Sequence, residues 1–213
     1  MGIDPHIIRA WLTARSLARG LPAPIADRGA LRVDTQSDGE IQRWVFAEVN
    51  AQLRELGCSL DAPGYLLKLC GSASDLRAAL PLAWQLHAPA YFMAGPCTAA
   101  RQPLPPGYTA ALTQNGPVVQ VRLTTAAGEL VASGFAAETE HAFIYDRIVT
   151  DPAHRRRGLG RAMMSLLGQA KQKRTAPELL VATPDGRALY ERLGWQTISP
   201  YSTASIPDAR PPG

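Results

Sequence analysis

Three features of this 213-residue chain predict a fold of the α/β (α+β) class. After residue 107, four strand-like segments follow one another before any helix. A loop of arginine and glycine then opens an amphipathic helix, and the first hundred residues alternate helical and strand-like patterns without a chemical motif. The 46% hydrophobic and 19% charged composition is that of an ordinary globular chain, enough for one large or two small domains. No run approaches the roughly 20 apolar residues that a membrane-spanning helix needs, which excludes that class.

The elements of the first half read in order as follows. His6 to Arg19 sets Ile7, Ile8, Trp11, Leu12 and Leu17 at helical positions, and Gly20-Leu21-Pro22 ends that helix. Leu31 to Asp34 is a short strand candidate. Ile41, Trp44, Val45, Val49, Leu53 and Leu56 recur at helical spacing, which predicts a helix from about Glu40 to Leu56, capped by Asp38 and closed by Gly57. Tyr65 to Leu69 reads as a strand, Ser74 to Leu80 as a helix stopped by Pro81, and Trp84 to Met93 as an extended segment. Trp11 and Trp44 stand among aliphatic neighbours and are expected in the core.

The run GPCTAARQPLPPG, with four prolines and two glycines, marks a connection. The expected organisation is an N-terminal α/β accessory unit at 1–95, that connection at 96–107, a second domain at 108–203 and a disordered tail at 204–213. In the second domain, Tyr108 to Leu112, Val118 to Thr125, Glu129 to Ala136 and Ala142 to Thr150 are strand-like, with a hairpin turn at Ala127-Gly128. Leu159, Ala162, Met163, Leu166, Leu167 and Ala170 then share one helical face. A strand at Leu179 to Ala182 follows. Thr183 and Pro184 suit the cap and first position of a short helix through Leu193, with Gly194 beyond it, and Trp195 to Ser199 is the last strand.

The formal charge of +4 is unevenly placed. Residues 1–100 hold nine basic and nine acidic side chains and residues 101–213 hold thirteen and nine, with four arginines between His154 and Arg161. So local a cluster points to an anion site rather than to the spread positive face of a nucleic-acid binder. Cys58, Cys70 and Cys97 show no metal spacing and read as buried thiols in a reducing compartment. Without the cationic head and apolar core of a secretory leader at the N-terminus, a cytoplasmic location is expected.

The chemistry concentrates in Arg155-Arg156-Arg157-Gly158-Leu159-Gly160, between a strand and a helix. Glycines let backbone N–H groups approach a ligand, the helix start supplies a positive dipole end, and the arginines add charge, which together suit a pyrophosphate. Met163 stands where a dinucleotide fingerprint needs its third glycine, and no GK[ST] follows for a phosphate-binding loop of the Walker type. Placed after the strand Ile148-Val149-Thr150 and Pro152, the Arg-x-x-Gly-x-Gly pattern resembles the acetyl-CoA signature of the GCN5-related N-acetyltransferases (GNAT family). ATPDGRALYERLGW at 182–195 resembles that family's second motif, and the likeness covers roughly residues 108–203.

The resemblance implies a mixed, mostly antiparallel sheet flanked by helices, with the N-terminal unit packed against it. It implies acetyl-CoA as donor, no metal, and an N-acetyltransferase acting on a primary amine by direct attack in a ternary complex. Ile148, Val149 and Thr150 would offer backbone groups to the pantetheine arm, and Arg155, Arg156, Arg157, Gly158, Leu159, Gly160 and Arg161 would wrap the pyrophosphate. Thr183 would contact the cofactor where many members carry asparagine, and Tyr190 matches the usual general acid. The recognised region lacks helices between its first two strands, so acceptor-side helices are expected from the N-terminal unit, which could itself be a decayed second copy of the fold.

Residue chemistry runs parallel to this. Such a transfer needs a neutral nucleophile, oxyanion stabilisation and a proton for the thiolate. Asp146 is the candidate base, because by strand alternation it interrupts a row formed by Ala142, Ile144, Ile148 and Thr150; an ion pair with Arg122 or Arg147 would account for it equally well. Tyr190, one turn after Gly186, would be either the acid or a core tyrosine. His141 and His154 read as proton relays or ordinary polar residues, and Glu138 and Glu140 as attractors of a cationic acceptor or solvated turn residues. The expected partner is a small-molecule or protein amine, with no nucleic acid and no membrane, and a homodimer stays open. The alternative is a non-catalytic acyl-CoA-binding sensor or regulatory module.

Overall fold

Asp4 opens the first helix: its carboxylate accepts the His6 N–H at 2.8 Å, and Pro5 fills a position that needs no donor, giving α1 (Pro5–Ala18). The structure, a computed structural model, describes residues 3–37, 39–96 and 102–208. After α1 come β1 (Ile25–Asp27), β2 (Ala30–Ser37), β3 (Glu40–Phe46), α2 (Ala51–Ser59), β4 (Tyr65–Leu69), α3 (Ala73–Ala79), β5 (Gln85–Leu86) and β6 (Ala90–Ala94). Beyond the connection lie β7 (Tyr108–Asn115), β8 (Val118–Thr125), β9 (Leu130–Glu138) and β10 (Phe143–Thr150). A 3₁₀ turn (Pro152–His154), α4 (Leu159–Gly168), β11 (Glu178–Ala182), α5 (Pro184–Glu191) and β12 (Gln196–Ser205) complete the chain.

The described strands form one mixed, mostly antiparallel sheet in the order β1-β2-β3-β4-β12-β6-β11-β10-β9-β8-β7, with β5 beside β12. Among the described residues the parallel pairs are β3 with β4 and β10 with β11, each joined by a helical crossover. The proline-rich connection does not interrupt this sheet. Strand β6, from before it, lies between β11 and β12, while β12, from after it, pairs with β6 through Gln196–Tyr201 and with β4 through Ser202–Ser205.

Alternation along β10 sorts the core into two layers. Phe143 and Tyr145 pack with Leu159, Met163 and Leu167 of α4, whereas Ile144 packs with Ile8, Trp11 and Leu12 of α1. Leu12, Met163 and Leu167 are at 1% exposure or less, so each contributes about 1.5–3 kcal/mol of transfer free energy. Helix α1 thus covers the face of β8, β9 and β10 opposite α4. Between β7 and β8 there is a tight turn through Gly116 (φ +56°) and no helix, so the N-terminal segment supplies the cover for that face.

Three expectations are corrected. The segment expected as one helix from Glu40 to Leu56 is β3 followed by α2. Strand β3 is paired on both sides and its second half is buried on both faces, with Trp44 and Phe46 in one cluster and Val45 in another, so Trp44 and Val45 follow Ile41 by three and four residues and mimic helical spacing. Asn50 is the real cap, its side chain accepting the Leu53 N–H at 2.8 Å; the expected cap Asp38 lies outside the described residues. The last strand runs on through Ser205, with Tyr201 and Ala204 buried, so the expected tail begins later; residues 209–213 lie outside the described residues. Finally, Cys58 is exposed, while Cys70 is buried and its thiol is pushed up to about 12 by burial; Cys97 lies outside the described residues.

Candidate active site

Strands β10 and β11 meet and then part. Their parallel register covers Phe143 with Glu178 and Ile144 with Leu179, although β10 continues to Thr150 and β11 to Ala182. A buried trio pins the apex of this wedge: the Tyr145 hydroxyl donates to Glu178 Oε2 at 2.8 Å, and Lys171 Nζ lies 3.1 Å from Glu178 Oε1. Burial, followed by the neighbouring Glu178 charge, pushes the Tyr145 phenol upward, so it stays a proton donor to that carboxylate.

Beyond the apex β10 carries a bulge. Its register against β9 shifts between Asp146 and Val149, and Arg147 sits at φ +52°. One extra residue reverses the alternation. Ile148 therefore packs on the α4 side, 3.1 Å from a Cβ built on Gly134, and does not share a face with Asp146 as expected. Asp146 and Arg147 instead both turn to the α1 side, with the Arg147 guanidinium 3.8 Å from the centre of the Phe135 ring. Val149 is 61% exposed along the open edge.

At the far end of β10 the arginine loop leads into α4. Gly158 is left-handed (φ +85°) and gives the helix no side-chain cap, so the first N–H groups of α4, at Leu159, Gly160 and Arg161, have no intrahelical acceptor. Arg155, Arg156, Arg157 and Arg161 are exposed, and among the described residues none of them forms an ion pair. Arg157 donates to the Tyr108 hydroxyl at 3.3 Å, and that hydroxyl lies 3.0 Å from His154 Nδ1, so the loop is braced against β7. A Cβ on Gly160 would meet the tip of the Leu189 side chain, Cδ2, at 2.7 Å, so α5 lies close over the start of α4. Open amides with unpaired arginines around them fit a pyrophosphate.

Strand β11 delivers α5 to the other wall. Thr183 caps it, its hydroxyl accepting the Gly186 N–H at 3.2 Å. The Tyr190 ring lies 3.2 Å from a Cβ built on Gly186, and Trp195 stands 5.9 Å away from it, centre to centre. Burial pushes the Tyr190 phenol up to about 12, so it is protonated at neutral pH. Tyr190, Thr183, Gly186, Asp146 and Ile148 all line one cleft of about 260 Å³ in the wedge. Glu138 and Glu140 do not line it; Glu138 instead accepts the Gln172 and Lys173 N–H groups. His141 is exposed, outside the cleft lining.

Two arginines that the sequence reading did not single out, with the expected core residue Trp11, close the cleft on the α1 side. Trp11, Arg15 and Arg19 recur every four residues along α1 and line it together. Arg19 holds Asp146 in a two-pronged ion pair, Arg15 approaches the same carboxylate at 3.7 Å and Arg147 at 3.4 Å, so the expected pair with Arg147 exists within a larger cluster that does not include Arg122. Arg147 also donates to the Ala18 carbonyl at the end of α1. Burial, then the charges of Arg43 and Arg19, push the Arg15 guanidinium down to about 10. The four-residue spacing was visible in the sequence, but nothing local says which strand the stripe faces.

Residues 118–197 match the family model of the acetyltransferase (GNAT) domain. None of the curated proteins matches the sequence. Among solved structures, a GCN5-related N-acetyltransferase from Kribbella flavida superposes with a TM-score of 0.66 at 18% identity, covering 98% of this chain and 97% of its own. A GNAT-family acetyltransferase from Novosphingobium aromaticivorans gives 0.58 at 17% identity, covering 95% and 97%. A tandem GNAT protein from the clavulanic acid biosynthesis pathway gives 0.50 at 12%, covering 87% and 86%. Residues 118–197, which hold the wedge, the arginine loop and the start of α4, thus match the acetyltransferase (GNAT) domain, and the chain shares its fold with GCN5-related N-acetyltransferases.

Proposed function

We propose that the protein transfers an acetyl group from acetyl-CoA to a primary amine, with both molecules held at once in the wedge between β10 and β11. The observation that carries this reading is the two-residue pairing of those strands, which opens the cleft that Ile148, Thr183 and Tyr190 line, with the arginine loop following the far end of β10. When bound, acetyl-CoA supplies an activated thioester carbonyl. The amides of 158–161 and the side chains of Arg155, Arg156, Arg157 and Arg161 bind the pyrophosphate. The edge of β10 at Ile148, Val149 and Thr150 pairs with the pantetheine amides, and Thr183 borders the same path. The amine would attack as the free base, its C–N bond forming as the C–S bond breaks; Tyr190, held protonated by burial, would give its proton to the departing thiolate, and the proton shed by the nitrogen would return to the phenolate through solvent in the cleft.

Asp146 acts as a positioning residue in this scheme. Both of its oxygens are engaged by Arg19, and it gathers Arg15 and Arg147 on the acceptor side. Substituting Asp146→Asn should raise the acceptor KM and leave the shape of the pH profile unchanged; loss of an ionisation from that profile would restore it as the base. The N-terminal unit is read as a second copy of the fold that lacks the motif. In support, β2, β3, α2, β4 and α3 follow one another as β9, β10, α4, β11 and α5 do, with a parallel pair across each crossover.

The test is thiol release from acetyl-CoA across a panel of amines, run beside a thermal melt with acetyl-CoA. A raised melting temperature together with acceptor-dependent thiol release supports the reading. A melting shift with no release from any amine would leave a cofactor-binding module instead. No shift would remove the cofactor claim.

A further inference from the structure

Three guanidiniums meet one carboxylate at the acceptor side of the cleft. Arg19 uses Asp146 fully, through bonds of 2.6 and 2.9 Å. Arg15 reaches it only at 3.7 Å, and among the described residues its guanidinium makes no hydrogen bond, although its side chain keeps just 16% exposure. Arg147 gives one contact at 3.4 Å to that carboxylate and one hydrogen bond to Ala18. The α1 side of the cleft therefore carries two positive charges beyond what Asp146 neutralises, partly withdrawn from water. Charge in that position is unfavourable unless an anion meets it.

The Trp11 ring lies under Arg15 at 5.5 Å, and α1 holds Arg15 and Arg19 four residues apart on the stripe that lines the cleft. Tyr190, beside which the amine reacts in the proposed transfer, lines the same cleft. A planar fork of donors suits a carboxylate through paired hydrogen bonds. A cleft of about 260 Å³, where one water needs roughly 10–15 Å³ of the same kind of space, has room for a molecule of amino-acid size.

We infer that the acceptor is a small amine bearing a carboxylate, of the amino-acid class, with that carboxylate held by Arg15 and Arg147 while the amine faces the wedge. This rests on the proposed acetyl transfer for the amine's role, but the carboxylate site can be tested without turnover. Calorimetry of the full chain loaded with coenzyme A would use L-alanine, β-alanine and 4-aminobutyrate beside their amides and methyl esters. At least one acid should bind ten times or more tighter than its matched amide and ester, and Arg15→Met should abolish that preference, as should Arg147→Met. Arg15→Met should keep the wild-type melting shift with coenzyme A, since it lies outside the loop. Amides binding as well as acids, no acid binding at all, or a preference that survives in both variants would overturn the inference. Failure of the transfer reading would appear separately, as carboxylate binding without thiol release.

Discussion

Arg19, the residue that ends α1, grips Asp146 at the bulge of β10, with Nε 2.6 Å from Oδ2 and Nη2 2.9 Å from Oδ1. The pair spans 127 residues of sequence and ties the N-terminal helix to the strand that shapes the wedge. Removing the carboxylate strands three guanidiniums, whereas removing Arg19 leaves Asp146 with two partners. Asp146→Asn should therefore cost about 2–3 kcal/mol, below the roughly 3–5 kcal/mol of a fully buried broken pair because Arg19 keeps 27% exposure. Arg19→Met should cost less. Urea unfolding of both variants measures this order, and equal losses would show that Arg15 and Arg147 do not take over the carboxylate.

Tyr190→Phe separates a proton donor from a packing tyrosine. As the acid it should lower kcat by about 10²-fold or more, with little change in the melting shift given by acetyl-CoA. It should also alter the alkaline limb of stability. The phenol ionises near 10 when unfolded and is pushed up to about 12 when folded, so the folded state binds more protons between those values. Its contribution is complete below pH 10 and is lost as pH rises through about 12. The wild type should lose on the order of 2 kcal/mol more than the Phe variant across that window, read by denaturant titration.

Gly160→Ala tests the contact between α4 and α5. The new Cβ would stand 2.7 Å from Leu189 Cδ2, the far end of a flexible, half-buried side chain, so Leu189 turns aside and the helices keep their places. Alanine's better helix propensity offsets that local rearrangement, so stability should change by less than about 1 kcal/mol and the melting shift with coenzyme A should be kept. A larger loss in urea unfolding together with weakened coenzyme A binding, both relieved by Leu189→Ala in the same background, would show that α4 itself is displaced.

Lys68 offers a pH signature of opposite sign. Burial, then the charges of Arg15 and Arg43, push its amine down to about 7, with Thr203 Oγ1 3.3 Å away. An unfolded lysine keeps its proton to about 10.4, so between pH 7 and 10 the unfolded chain binds more protons and this residue makes stability rise with pH. Lys68→Met should therefore melt higher than wild type at pH 7, and the gap should close toward pH 10. A gap independent of pH would mean that the amine is not depressed.

Legibility differed sharply between the halves. Strand β8 has the expected bounds, Thr183 caps α5 as its pattern suggests, and Gly158 and Gly160 stand at the start of α4. Each is a local signal, written in turn chemistry and capping within a few residues. Strand β3 was hidden inside a helical spacing because burial on both faces erases the alternation that marks a strand. The bulge at Arg147 was hidden for a related reason. Its extra residue shows only against the register of β9, and without it Asp146 reads as a neighbour of Ile148.

Local sequence was therefore enough to announce the loop at the start of α4: glycines that let backbone approach, a helix start, and four arginines beside them. The α1 side of the cleft was decided by pairing across long separations. Strand β12 reaches back to β4 and β6 joins β11, and with the chain so arranged α1 lies over β8, β9 and β10 with Arg15 and Arg19 above Asp146. No propensity encodes that placement, because the free energy that selects it comes from burying two layers against one sheet rather than from any single segment.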